Sequence, residues 1–402
     1  MDGANGHPTG EDMLIDAPFG GALRVAQVGC EIRSPVRELA QRLGPGPFEL
    51  VCLFASPQAD FPALNRAAST AFGTADVFAC TTAGEIGENG YEDGQIIAVA
   101  FPSSLFKVDA LVIDELDSVN DSKLIDQLMQ RRLTLGIEAP DMASEFAFLM
   151  VDGLSLQEEN VATLLASAMG PMPLFGGSTG DGTAFGTTWL SHNGCIRSNA
   201  ALLALVRSRW QVKVFSFDHL LPTEVRMVVT AADPGRRKVT EINAEPAAQE
   251  YARLLGRDPG LLDTFTFAAH PVVVRLGDSH HVRSIQRLDD DGNMVFFSAI
   301  NEGMVLTLAQ HQDMAGHLEQ ALAELANGGE APAQILGCDC VLRRVEAGQF
   351  QKTREISEIL TRHNVVGFNT YGEQFGALHV NQTLTGVAFY APDGEEDAAG
   401  CP

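Results

Sequence analysis

The sequence predicts a mixed α/β protein: mixed sheets flanked by helices, in two intimately associated halves. Three observations carry this. Short apolar runs alternate with segments of helical period up to Gly170-Pro171, as strand–helix–strand units do. Strand-like runs then crowd together around turn signals such as Asn193-Gly194, which calls for antiparallel pairs in the same sheets. The 402 residues, 45% hydrophobic and 20% charged, suffice for two domains with sizeable cores.

Residues 24–29 read as a strand. Ser34 is expected to cap a helix over 35–43, with Pro35 at its first position. A strand over 49–54 and a helix over 60–72 follow, the helix capped by Asp60 and apolar at 61, 64, 68 and 72. After the strand 77–80, small and hydroxyl residues (80–87, CTTAGEIG) stand where open α/β sheets place ligands. On that stretch alone an ordinary strand exit explains them better. Strands over 95–101 and 107–114 are expected to pair antiparallel. A helix runs from Asn120 or Asp121 to about 135 with Leu124, Ile125 and Leu128 inward. Strand 146–151 precedes a capping box, Ser155 with Glu158, and a helix ending at Met169. The loop 176–182 (GGSTGDG) comes next, then a hairpin over 187–192 and 195–197, then strands at 200–206 and 212–215.

The basic turn 233–238 (DPGRRK) marks the expected boundary between the halves: 1–22 a disordered lead, 23–232 and 233–390 the two domains, 391–402 an acidic flexible tail. Beyond the turn, 239–242 is a strand and 245–255 a helix closed by Gly256. His270 leads a strand over 271–274. Strand 282–288 pairs with 294–299 across Asp289-Asp290-Asp291-Gly292. Helices over 313–325 and 353–362 flank the strand 335–338, and the chain shows no repeat of fixed period.

Net charge is −25, from 52 acidic and 27 basic residues. That opposes non-specific nucleic-acid binding and docking on anionic lipid. The start of the chain has neither basic nor apolar signal regions, and no long apolar run exists, so a cytoplasmic protein with reduced cysteines is expected.

The stretch 365–390 draws attention next. Two apolar strands, 365–368 and 384–390, bracket Tyr371, Glu373, Gln374, His379, Asn381, Gln382 and Thr383, with Gly372 and Gly376 for turns. Polar residues in an apolar setting suit a pocket or a hairpin of satisfied core polars. The loop Gly176-Gly177-Ser178-Thr179-Gly180-Asp181-Gly182 can turn several N–H groups onto one anion. It lacks the Gly-Lys-Ser/Thr of a P-loop, and Asp181 opposes a phosphate. A neutral or zwitterionic ligand, or close packing, fits it better.

Taken together, CTTAGEIG, VDGLSLQEEN (151–160), PLFGGSTGDG (173–182), HPVVVR (270–275) with the later VRSI, CDCVLRR (338–344) and VVGFNTYGEQFGALHVNQTLTGVAF (365–389) resemble the FIST family, from about residue 24 to 389. Its two parts are FIST N and FIST C. Thr179 departs from the alanine usual there. The resemblance implies small-ligand recognition in signal transduction. The last two motifs are most similar to the subgroup of NosP-like, nitric-oxide-sensing haem proteins, which act in trans on a histidine kinase or a cyclic-di-GMP enzyme.

That resemblance implies non-covalent haem b, since no Cys-x-x-Cys-His is present. Of ten histidines, His379 has the best setting for an axial ligand and His270 the second best. Arg343 and Arg344 suit propionates, or a pairing with Glu373. Cys338-x-Cys340 has no second cysteine pair to complete a zinc site. Without haem, Gly176, Gly177, Ser178, Gly180, Asp181, Tyr371, Glu373, Gln374 and Asn381 line the site of an amino-acid-like ligand. Glu373 has the chemistry of a general base, but no nucleophile with a partner base accompanies it, so an enzyme is the weakest class.

Overall fold

A computed structural model describes residues 21–276, 279–326 and 329–392. Three six-stranded sheets share one plan. The first runs Arg24–Gly29, Gln95–Pro102, Phe48–Ala55, Asp76–Thr81, Leu190–His192, Cys195–Arg197. The second runs Phe106–Ile113, Ala201–Ser208, Ser144–Val151, Leu174–Ser178, Glu373–Phe375, Leu378–Val380. The third runs Gln211–Phe217, Leu384–Tyr390, Gln334–Cys340, Val365–Thr370, Glu85–Gly87, Gly90–Glu92. In each, the middle pair is parallel and every other contact antiparallel. A parallel pair needs a crossover, supplied by helices Phe61–Ala71, Glu158–Met169, and Val341–Gln349 with Thr353–Arg362.

The sheets are closed on one another by exchange. The hairpin that follows each parallel pair caps a different sheet: 85–92 the third, 190–197 the first, 373–380 the second. The repeat is topological, so no fixed period betrays it in the sequence. The inner faces meet in one core, where Phe54 stacks on Phe368 at 4.5 Å and Phe146 meets Phe389 at 5.9 Å. Helices cover the outer faces, each through its own apolar stripe. Among the described residues, no helix is long and apolar enough to cross a membrane.

A fourth sheet, Ser279–Arg283, Val272–Leu276, Val305–His311, Leu220–Asp233, Lys238–Ile242, Met294–Phe296, Ile285–Leu288, packs with helices Ala247–Leu255 and Thr264–Ala269 around its own core. The expected boundary at 233 falls on the turn between two of its paired strands. Most of the lead and of the tail, with Cys401, lies outside the described residues. Ala22, assigned to the lead, is buried instead, beside the Leu23 N–H that donates to Gln334 at 2.8 Å. The six described cysteines are free thiols.

Several local expectations change. Strands Gln95–Pro102 and Phe106–Ile113 do not pair; the turn between them sends each into a different sheet. Ser34 makes no side-chain cap, whereas Asp60 accepts from the Ala63 N–H at 3.0 Å as expected. The capping box does not form: helix Glu158–Met169 starts at Glu158, which is buried and paired with Arg237. That ion pair outweighs a cap, because a buried carboxylate without a cation would cost several kcal/mol. The hairpin Leu190–His192/Cys195–Arg197 turns on Asn193 and Gly194 at φ 49° and 87°, the left-handed pair its Asn-Gly predicts.

Candidate functional site

The strands Val365–Thr370 and Leu384–Tyr390 are separated by Gln334–Cys340, so the stretch between them is not a loop over a hairpin. It crosses to the second sheet, where Gln374 pairs with Gly176 and with His379. Crossing there brings the polar residues against the fourth sheet. Arg283 Nη1 donates to the His379 carbonyl at 3.2 Å, and Ser298 Oγ donates to Asn381 Oδ1 at 3.3 Å.

At this junction hydrogen-bonding capacity goes unused. Gln374 Nε2 donates to Ser178 Oγ at 3.0 Å and to His379 Nδ1 at 3.3 Å, which puts the imidazole proton on Nε2. Gln374 Oε1 then has no partner, nor do Arg283 Nε, Ser284 Oγ and Gln382 Oε1; His379 Nε2 makes no hydrogen bond of full geometry, although the Phe297 backbone bears on the ring. All five residues are buried. Burial pushes the His379 pKa down to about 3, so the ring is neutral; the cationic Arg237 and Arg283 act in the same sense and Glu159 against them. Gln382 holds a left-handed φ of 50°, a strained backbone of the sort that gathers at functional sites. Beside them Phe185, Phe297 and Tyr371 form an aromatic wall, with centroids 4.4 Å (Phe185–Tyr371) and 5.5 Å (Phe185–Phe297) apart.

Sequence profiles match most of the chain. The FIST N domain matches residues 49–245 and the FIST C domain residues 247–376. The chain belongs to the FIST family. No curated protein matches it significantly. Among solved structures, one titled as a crystal structure of chorismatase is 10% identical and covers 92% of this chain and 98% of its own, with a TM-score of 0.35. A likeness that low carries no argument about activity.

In this FIST protein the glycine-rich loop answers its own anion. The N–H groups of Phe185, Gly186 and Thr187 donate to the Asp181 carboxylate at 2.7–2.8 Å. The Tyr371 hydroxyl also donates to it, and accepts from the N–H groups of Asp181 and Phe185 at 3.1 Å. Gly176, Gly177 and Gly180 serve packing: a Cβ would stand 2.0 Å from the Leu149 carbonyl oxygen, 2.4 Å from Thr370 Cγ2 and 2.8 Å from the Ala83 backbone nitrogen, respectively. Of that loop, Ser178 joins the junction by its side chain, through Gln374.

Glu373 is not free to meet a ligand. It is buried between Thr370 and Thr383, whose hydroxyls both donate to it, the second at 2.7 Å. Burial pushes its pKa up to about 8, against the opposing pull of those bonds. Arg343 and Arg344 are not brought to His379. Arg343 is buried with Asp339 (2.7 Å) and His219 (2.8 Å), and Arg344 holds Asp93 (2.7 Å) and the Glu92 carbonyl (2.9 Å). The cations that bear on His379 are Arg283 and Arg237. His270, the second candidate ligand, ends helix Thr264–Ala269, with Nε2 unpartnered. Arg283 and Ser284 lie inside the quoted VRSI, but nothing local marked them as facing residues almost 100 positions away.

Haem fits this arrangement poorly. His379 supplies a neutral Nε2 that makes no hydrogen bond of full geometry. Yet the Gly372 backbone lies against the ring: a Cβ there would stand 2.3 Å from Cε1 and 2.8 Å from Nε2. A macrocycle laid across Nε2 would meet that main chain, and the arginines expected for its propionates are engaged elsewhere.

Proposed function

We propose that this FIST protein is a sensor that binds a small, amino-acid-like molecule where the hairpin 373–380 meets the fourth sheet. One observation carries the reading: buried polar atoms on Arg283, Ser284, Gln374 and Gln382 lack partners, and His379 Nε2 makes no hydrogen bond of full geometry, beside an aromatic wall. Each such atom costs about 1–3 kcal/mol while unpaired. Arg283 Nε–H, His379 Nε2–H and Ser284 Oγ–H suit a carboxylate. Gln374 Oε1 and Gln382 Oε1 suit an ammonium or amide. Binding is recognition without turnover, since Glu373, the candidate base, is occupied by two threonines. The signal passes in trans to a histidine kinase or a cyclic-di-GMP enzyme, a part of the proposal that rests on the resemblance.

The second reading is a NosP-like haem protein sensing nitric oxide, favoured by the neutral Nε2 of His379, which makes no hydrogen bond of full geometry. A thermal-shift screen of amino acids and small carboxylates, run with a visible spectrum of haem-supplied protein before and after nitric oxide, separates the two. The first reading expects a melting-temperature rise equivalent to about 2.7 kcal/mol at a hundredfold excess over Kd. Ser284→Ala, which removes a hydroxyl holding no side-chain partner, should weaken that response. A Soret band that responds to nitric oxide and is lost in His379→Ala, with no response to the organic panel, overturns it. So does silence in both assays.

A further inference from the structure

A second constellation lies apart from the ligand junction and was not legible in the sequence. His219 sits in the connection Asp218–His219 between the third and fourth sheets, His311 ends strand Val305–His311, and Glu346 lies on helix Val341–Gln349. Each offers one ligand atom, and the three atoms lie close together. His219 Nε2 and His311 Nδ1 both stand 2.8 Å from Glu346 Oε1, and 3.2 Å from each other. The circle through those three atoms has a radius of about 1.7 Å, so an ion ~2.1 Å from all three, the usual Zn–N and Zn–O distance, stands only about 1.2 Å out of their plane.

We propose that His219, His311 and Glu346 form a divalent-metal site of the zinc type, with a fourth position open on the side of His311. His311 is the only one of the three with appreciable exposure, at 12% of its side chain. Its other nitrogen donates to the Ala268 carbonyl at 3.0 Å, the outer contact that orients a ligating imidazole and leaves Nδ1 for the ion. Burial pushes the His219 pKa down, so that ring is available uncharged; burial would raise that of Glu346, but hydrogen bonds from both imidazoles win and hold it at about 2.

One contact changes on loading. Arg343 Nη1 donates to His219 Nδ1 at 2.8 Å, which places the His219 proton on Nε2. Ligation requires that proton on Nδ1, so the guanidinium edge turns away while Arg343 Nε keeps Asp339 at 2.7 Å. The bound ion ties the fourth sheet to a helix on the third. The Ala268 carbonyl also accepts from Gln382 Nε2 at 3.0 Å, so the tie reaches the ligand junction. The site stands whether or not the ligand reading does.

The test uses the full chain, stripped with chelator and dialysed against zinc chloride alone at pH 8, with cobalt(II) as a spectroscopic substitute. One zinc per chain is expected, and cobalt should give the intense visible bands of a four-coordinate site. His311→Gln, chosen because that side chain reaches solvent, should keep the wild-type circular dichroism. It should lose more than about 100-fold in affinity, beyond the 10–100-fold typical of an outer-shell partner. His192→Gln, which alters a histidine paired with Asp76 in the first sheet, should bind as wild type. No stoichiometric zinc at pH 8, or equal binding by a folded His311→Gln, overturns the proposal.

Discussion

Glu373→Gln should stabilise this protein, and more so as pH rises. The folded chain holds the carboxyl neutral until about pH 8, whereas the usual glutamate value is 4.5. Between those values the native state keeps a proton that the unfolded state has lost. The stabilising contribution is therefore fully present below about pH 4.5 and is lost as pH climbs to 8. The linkage integral gives a loss of less than about 1 kcal/mol at pH 5, about 3 at pH 7 and 4–5 at pH 8.5. Glutamine has nearly the same shape and no charge to bury. Its amide N–H can donate to Thr370 Oγ1 while its oxygen accepts from the Thr383 N–H and hydroxyl, the groups now at 3.3 and 2.7 Å from Glu373 Oε2. Urea unfolding of wild type and variant at pH 5, 7 and 8.5 measures the difference directly, and other titrations cancel in it. A stability gap that stays constant across that range would refute the buried, neutral acid.

Two further outcomes test the junction. Gly372→Ala places a Cβ 2.3 Å from the His379 ring and should cost about 1–3 kcal/mol in urea unfolding, with any ligand response lost. Tyr371→Phe strips the Asp181 and Phe185 N–H groups of one acceptor and Asp181 of one donor. It should cost about 1–3 kcal/mol and raise hydrogen exchange selectively at residues 181–187.

Local pattern alone determined much of this protein. Helix Thr353–Arg362 and strands Arg24–Gly29 and Leu384–Tyr390 lie where their periodicity puts them, because an apolar stripe or run states which face must be buried. The same logic picked out Gln374, His379 and Asn381 as polar groups committed to an apolar place. Partners were another matter. That Gln95–Pro102 and Phe106–Ile113 belong to different sheets, that the hairpin 373–380 crosses to the second sheet, and that Arg283 and Ser284 face His379 all depend on pairings between distant segments. Glu158 read as a capping residue until Arg237, 79 positions away, claimed it. His219, His311 and Glu346 meet for the same reason. Periodicity encodes only whether a side chain points inward; which other inward-pointing side chain it meets is decided by how whole sheets pack, and that arises only when the distant strands come together.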